Sequence, residues 1–230
     1  MAASTHGLVV AIDGPSGAGK STVARMLAQR LGADYLDTGA MYRAVTLYAL
    51  EQGTDLEDAA AVAALANRLE FRPLLDPARP ALLVEGRDVS AEVRSEPVTR
   101  AVSVVSAVPG VRARLVKVQQ AALASADAIV IEGRDIGTVV APDADVKIFL
   151  TADASSRASR RNLELTSSKA TVEETAADLA RRDELDSGRS VSPLQPAADA
   201  VEIDTTDLTA EQAVDEILSV IRARTTEGGA

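Results

Sequence analysis

Gly14-Pro15-Ser16-Gly17-Ala18-Gly19-Lys20-Ser21 reads G-x-x-x-x-G-K-S, and its flanks carry as much information as its letters. Before it lies Leu8-Val9-Val10-Ala11-Ile12, a continuous apolar run with the length and β-branched content of a buried parallel strand. After it, Ser21 to Leu31 places Val23, Leu27 and Leu31 on one face with Ala24 and Ala28 beside them, so a helix begins there. Strand, glycine-rich turn and helix together aim a row of backbone N–H groups and a positive helix end at one point. That geometry suits a polyphosphate. Gly14 through Ser21, with Thr22, form the expected cradle. Lys20 is placed to reach the β- and γ-phosphates, and the Ser21 hydroxyl to sit on a Mg²⁺ ion. The stretch reads as a nucleotide site.

Composition narrows the rest. A chain of 230 residues can bury a substantial core, and 47% hydrophobic residues mark it as globular rather than disordered. The net charge of −10 argues against general nucleic-acid binding, while leaving a locally positive nucleotide site possible. With no cysteine, disulfides and cysteine-based metal sites are excluded. Met1 to Gly7 carry no basic export signal, and the apolar run after them is too short to span a membrane. A cytoplasmic monomer with no membrane partner is therefore the expectation. His6, the one histidine, falls in that N-terminal stretch, so histidine catalysis is not expected.

Along the chain, Gly32 is placed to end the first helix. Tyr35-Leu36-Asp37 is extended, Ala40 to about Gln52 is helical, and Asp55 is expected to cap an alanine-rich helix running to about Leu69. The character then changes. Phe71 to Leu75, the turn-rich Asp76 to Pro80, and Ala81 to Val84 read as a β-hairpin, with Asp88-Val89 as a third short strand. Helices follow from Glu96 to Ala107 and from Pro109 to Leu123, with Pro109 at a favoured first-turn position. Ala128 to Ile131, Val146 to Leu150 and Val201 to Asp204 are the remaining strands, and a helix from about Thr209 to Arg222 closes the chain before a tail from Thr225. Strands alternating with helices imply a parallel sheet covered on both faces, with the hairpin as an insertion.

Two further segments carry charge toward the same place. Between Leu150 and Val201 the chain is polar, and Arg157, Arg160 and Arg161 share one helix face by their i, i+3, i+4 spacing. Arg182, Asp186 and Arg189 follow at i, i+4, i+7 and share another if the helix persists to Gly188. Arginine's planar fork suits phosphate oxygens, and phosphoryl transfer needs cations around the transferring group, so this stretch reads as a lid. Ile131-Glu132-Gly133-Arg134-Asp135-Ile136-Gly137-Thr138 leaves a buried strand at the carboxyl edge of the sheet, beside the phosphate loop. It offers a ligand both a cation and a hydrogen-bonding carboxylate.

With these pieces in order, the sequence resembles the bacterial cytidylate kinases, nucleoside monophosphate kinases of the P-loop superfamily. The matching stretches are IDGPSGAGKST, LDTGAMYRA, EGRDIGTVVAPDADVKIFLTAD and PAADAVEIDTT, covering about Val9 to Ile221. The resemblance implies an α/β P-loop NTPase fold: a five-stranded parallel sheet covered by helices, a small antiparallel β insertion and a helical lid. It implies the division CORE 1–37, monophosphate-binding domain 38–95, CORE 96–153, LID 154–190 and CORE 191–230. It also implies transfer of the γ-phosphoryl group of ATP to CMP or dCMP, with Mg²⁺. By the same resemblance Arg43, Arg134 and Arg189 surround the monophosphate. Ser103, Arg112 and Asp135 meet the cytosine with Thr38 near them, and Arg182 and Asp186 meet the sugar hydroxyls. Arg157 and Arg161 fall to the ATP side, and Lys20, Arg134 and Arg189 to the catalytic set. The chemistry agrees: Asp135 can accept from the exocyclic amine, while Arg112 and Ser103 can donate to the ring acceptors.

Other classes fare worse on the residues. The guanine-reading Asn-Lys-x-Asp of GTPases is absent, because Asn67 and Asn162 are followed by Arg68 and Leu163. A P-loop ATPase or motor usually ends an apolar strand in aspartate, whereas Ala128 to Ile131 ends in Glu132. A kinase acting on shikimate or another monophosphate remains the alternative within the enzyme class, and a non-catalytic nucleotide-binding module outside it.

Overall fold

The protein is described here by a computed structural model over residues 7–164, 171–189 and 191–227. The expectation for His6 lies outside those residues. Five parallel strands, β1 (Val9–Asp13), β2 (Asp34–Asp37), β6 (Ile129–Glu132), β7 (Val146–Thr151) and β8 (Val201–Asp204), form a sheet in the order β2-β6-β1-β7-β8. Strand side chains alternate between faces, and the core divides accordingly. Val10 and Ile12 of β1 and Val130 of β6 pack with Val23, Leu27, Val214 and Ile217 of helices α1 (Lys20–Leu31) and α8 (Ala210–Glu227). Ala11 of β1 and Ile129 and Ile131 of β6 face the other way, against α2 (Thr38–Glu51), α3 (Ala59–Arg68), α4 (Glu96–Ala107) and α5 (Pro109–Ser125). A sheet buried on both faces explains why its strands read as unbroken apolar runs.

The insertion is a three-stranded antiparallel sheet of β3 (Phe71–Leu74), β4 (Ala81–Val84) and β5 (Arg87–Asp88). Between β4 and β5, Glu85 (φ 51°) and Gly86 (φ 77°) are both left-handed, as a tight two-residue hairpin turn requires. The stretch expected to serve as a lid holds a pair of helices, α6 (Ala154–Glu164) and α7 (Val172–Ser187). A reciprocal cap starts α7: Thr171 Oγ1 accepts from the Glu174 N–H, and Glu174 accepts from the Thr171 N–H.

Several expectations need correction. Asp58, not Asp55, caps α3; its carboxylate accepts from the N–H groups of Ala60 and Ala61 at 3.0 Å each. Asp55 instead closes a local turn by accepting from the Glu57 N–H. Helix α7 stops at Ser187, so Arg189 lies beyond it rather than on a continuing face. The segment after Asp135 forms one wide π-type turn over Ile136–Val140. Residues 225–227, expected in a tail, continue α8.

Parallel pairing sets the chemistry on one edge. Register places Asp37 opposite Glu132 and Ile12 opposite Glu132, so the carboxyl ends of β2, β6 and β1 deliver Asp37, Glu132 and Asp13 side by side. The glycine-rich loop leaves the same edge, where open α/β sheets bind ligands.

Candidate active site

The phosphate loop follows from its glycines. Gly14 has φ +147°, and a Cβ there would lie 2.1 Å from the Leu150 carbonyl oxygen; Gly17 has φ +80°, with its Cβ 2.9 Å from the Arg157 carbonyl oxygen. Neither position admits a side chain. Gly19 then starts α1 with no side-chain cap, leaving the first N–H groups of the helix to an anion. Lys20 is buried and donates to the Pro15 carbonyl at 2.7 Å. Burial and the neighbouring Arg134 push its pKa down. Ser16 fixes the loop from outside: its N–H donates to Asp183 of α7 at 3.2 Å and its hydroxyl accepts from Arg134 at 2.7 Å.

Glu132, at the tip of β6, is buried and held from three sides. Ser21 donates to one carboxylate oxygen at 3.1 Å, Tyr35 to the other at 2.5 Å, and Thr38 to the backbone carbonyl at 2.7 Å. Burial, then Asp37, pushes its carboxyl up, while Lys20 opposes. Asp13, at the tip of β1, accepts from the N–H groups of Ile136 and Gly137 at 2.8 Å each and so anchors the wide turn that follows Arg134 and Asp135. Burial pushes it up to about 6 despite those two donors.

A cleft of about 520 Å³ opens from this edge. Its far wall is polar and dry. Arg112 of α5 donates to Asp135 and, at 3.1 Å, to the Ser106 carbonyl, and it stacks 5.1 Å over the Tyr42 ring. Both members of the Arg112–Asp135 pair are buried, and Ser103 and Thr38 join them on the cleft wall. Between this wall and the phosphate loop the cations gather. Arg134 donates to Asp186 at 2.9 Å and to the Gly14 carbonyl at 2.9 Å, tying α7 to the loop. Arg189 donates to Asp186 and, at 2.7 Å, to Ser106. Arg43 donates to Thr99 at 2.8 Å.

The electrostatics describe a site short of negative charge. Burial lowers Arg43 to about 9, with Arg182 and Arg161 adding to the effect. Burial and then Arg134 lower Arg182 to about 10. Burial acts to raise Asp186, but Arg134 and Arg189 outweigh it and hold the carboxyl below its ordinary value. Guanidinium groups held charged in a buried site, close to one another, are stabilised by an incoming phosphate.

Most of the residues expected from sequence therefore meet in one place. Ser16, Gly17, Gly19, Lys20, Ser21 and Thr22 line the cleft at one end, and Thr38, Ser103, Arg112 and Asp135 at the other. Arg43, Arg134, Arg161, Arg182, Asp186 and Arg189 line the space between. Gly14, Pro15 and Ala18 shape the loop from behind. Arg157 sits on the outer side of the loop, donating to the Ser16 carbonyl and to Asp183, while Arg160 is bound by the carbonyls of Thr205, Thr206 and Leu208. The trio on one helix face thus has three different destinations. Sequence reasoning missed Asp13, Tyr35, Asp37, Glu132 and Asp183 as parts of the site. For Asp13 and Asp37 a signal existed: each is a carboxylate at the end of an apolar strand.

The donor set at the loop also meets the needs of a hard cation. Ser21 and Glu132 present two oxygens 3.1 Å apart, and among the described residues no group of three or more His, Cys, Asp or Glu side chains is placed to hold a metal ion. That pattern fits Mg²⁺, which is held by one or two protein oxygens together with substrate phosphates, and not an all-protein cage.

Comparison with known proteins agrees with this geometry. The family model for cytidylate kinase matches residues 10–223. A cytidylate kinase of Rhodococcus jostii is 54% identical over 98% of this chain and 99% of its own length. One of Nocardia farcinica is also 54% identical, over 97% of each. Among solved structures, an uncharacterized protein from Eubacterium ventriosum superposes with a TM-score of 0.51 at 11% identity, covering 94% of this chain and 98% of the other, a likeness of fold.

Proposed function

The chain belongs to the cytidylate kinase family, and from that membership we propose how its cleft carries out the family's reaction. The enzyme transfers the γ-phosphoryl group of ATP to CMP or dCMP, giving ADP and CDP or dCDP. ATP enters with its phosphates on the Gly14–Thr22 loop, and the monophosphate nucleotide enters with its base against Asp135, Arg112 and Ser103. The observation that carries this assignment is the buried Arg112–Asp135 pair on the cleft wall opposite the phosphate loop. A carboxylate held there accepts from the cytosine amine, and buried polar groups left unpaired by another base penalise it.

Between the two ends, Arg43, Arg134 and Arg189 hold the acceptor phosphate, and Arg182 with Asp186 holds the sugar hydroxyls. Lys20 and Arg134 are the loop-bound cations that line the cleft; their role is to stabilise charge on the transferring group. Arg161 serves the ATP side from the cleft wall, and Arg157 serves it indirectly, by bracing Ser16. Asp186 fixes Arg134 and Arg189 together, so a phosphate meets both guanidinium groups already aimed. When bound, Mg²⁺ neutralises phosphate charge and polarises the group in transfer, and Ser21 with Glu132 would hold it. The segments 1–37, 96–153 and 191–230 form the CORE, 38–95 the monophosphate-binding domain and 154–190 the LID. A cytoplasmic monomer is the proposed working form. Among the described residues no helix is long and apolar enough to cross a membrane.

The test is Asp135→Asn. It keeps an oxygen for Arg112 but turns an acceptor toward the base into a donor. The expected loss in kcat/KM for CMP is about 10²-fold, the equivalent of 2–3 kcal/mol for a buried polar contact, with KM for ATP steady. Equal losses for both substrates would move Asp135 out of the base site.

A further inference from the structure

Tyr35 lies on β2, two residues before the strand's carboxyl tip, and is 3% exposed. Its ring packs in the apolar cluster beneath α1 with Ile12, Val23 and Leu27. The pairing of β2 with β6 sets Tyr35 opposite Val130, so the length of the phenol carries its hydroxyl forward to the Glu132 carboxylate. There it donates at 2.5 Å to one oxygen while Ser21 donates at 3.1 Å to the other. Glu132 is itself 3% exposed, at the wall of the cleft, and one of its oxygens is served by Tyr35. Among the described residues, no other hydrogen bond ends on that oxygen.

A glutamate side chain alone has three free torsions and does not hold its carboxylate plane. Here the phenol binds one carboxylate oxygen, while Thr38 binds the backbone carbonyl at 2.7 Å and so fixes the point from which the side chain starts. The second oxygen is thereby kept facing the hydroxyl of the phosphate-loop serine. We propose that Tyr35 is a positioning residue for the metal–nucleotide complex, orienting Glu132 toward Ser21 at the magnesium-facing end of the loop. This rests on the reading of Ser21 and Glu132 given above and adds a buried residue at the cleft wall that acts through Glu132. Outer partners that orient ligating groups typically contribute 10–100-fold in metal affinity. The same pair links the two halves of the cleft, since Thr38, which grips the Glu132 carbonyl, also lines the base end.

Tyr35→Phe is the clean test, because it keeps the ring in the apolar cluster and removes only the hydroxyl. The full-length variant and parent are titrated with ADP in EDTA by calorimetry. Mn²⁺ is then titrated into each enzyme–ADP complex, with free Mn²⁺ read by electron paramagnetic resonance. The parent is expected to bind Mn²⁺ more tightly than free ADP does. In Tyr35→Phe the affinity of the complex for Mn²⁺ should fall by about 10-fold while metal-free ADP binds within about 2-fold of the parent. Equal Mn²⁺ affinity in parent and variant overturns the role of Tyr35 alone. Weakened binding of metal-free ADP by the same factor as Mn²⁺ also overturns it, because that is the signature of a purely structural residue. If the parent complex binds Mn²⁺ no better than free ADP, the reading of Ser21 and Glu132 fails first and takes the proposal with it.

Discussion

Replacing Asp13 by asparagine tests how the sheet edge holds the wide turn over Ile136–Val140. The Asp13 carboxylate accepts from the Ile136 and Gly137 N–H groups, and burial raises its pKa from an ordinary 3.8 to about 6. Between those values the folded protein keeps a proton that the unfolded chain has already lost. Stability from this group therefore declines as pH rises from about 4 to about 6, and levels off above that. At about 1.4 kcal/mol per unit, a displacement of about two units amounts to roughly 3 kcal/mol. Asp13→Asn carries no such proton, so its stability lacks this component of the pH dependence. The quantity to measure is the unfolding free energy of variant minus parent, from urea titrations at half-unit steps between pH 4 and pH 7.5. That difference should climb by about 2–3 kcal/mol across the window and then flatten. Its value at pH 4 reports the hydrogen-bond side of the change, since asparagine offers a single acceptor oxygen to two donors. A difference that is flat in pH, or that falls as pH rises, would refute the reasoning.

Two further outcomes follow from the cations. Lys20→Ala should lower kcat by about 10²-fold or more, since the charge is lost from a preorganised site, while its circular dichroism spectrum stays that of the parent. Near-normal kcat removes Lys20 from the catalytic set. Arg189→Ala should reduce kcat/KM for CMP and dCMP by similar factors of about 10², because both carry the phosphate and a charge-assisted bond is lost. Parental efficiency with both would remove Arg189 from the acceptor-phosphate site.

Much of this was legible in the sequence for one reason: the strand-loop-helix unit is local. Val9 to Leu31 carries its own periodicity switch, its glycines and its lysine, and needs no distant partner to be read. Where two local signals competed, the wrong one was chosen. Asp55 and Asp58 can each accept from nearby N–H groups, and only Asp58 has two aligned above it. Arg157, Arg160 and Arg161 share a face, but a face does not say what lies opposite. Arg160 ends among the carbonyls after β8, and only Arg161 of the three lines the cleft. Arg189 met Asp186 as its spacing suggested, although the helix ends between them and the turn at Gly188 makes the approach. Glu132 was visible as the residue that ends a strand. Its partners were not, because Tyr35 and Ser21 lie 97 and 111 residues away and reach it only through the strand order β2-β6-β1. Long-range pairing of this kind leaves no periodic trace.

The central claim is that the buried Arg112–Asp135 wall makes this cleft a cytosine nucleotide site. The most direct measurement is coupled ADP release from ATP with CMP, dCMP, UMP, AMP and GMP in turn, each taken to kcat/KM. CMP and dCMP should exceed AMP and GMP by at least about 10²-fold, the discrimination expected when buried polar groups go unpaired with the wrong base. AMP or GMP turned over as efficiently as CMP would contradict it.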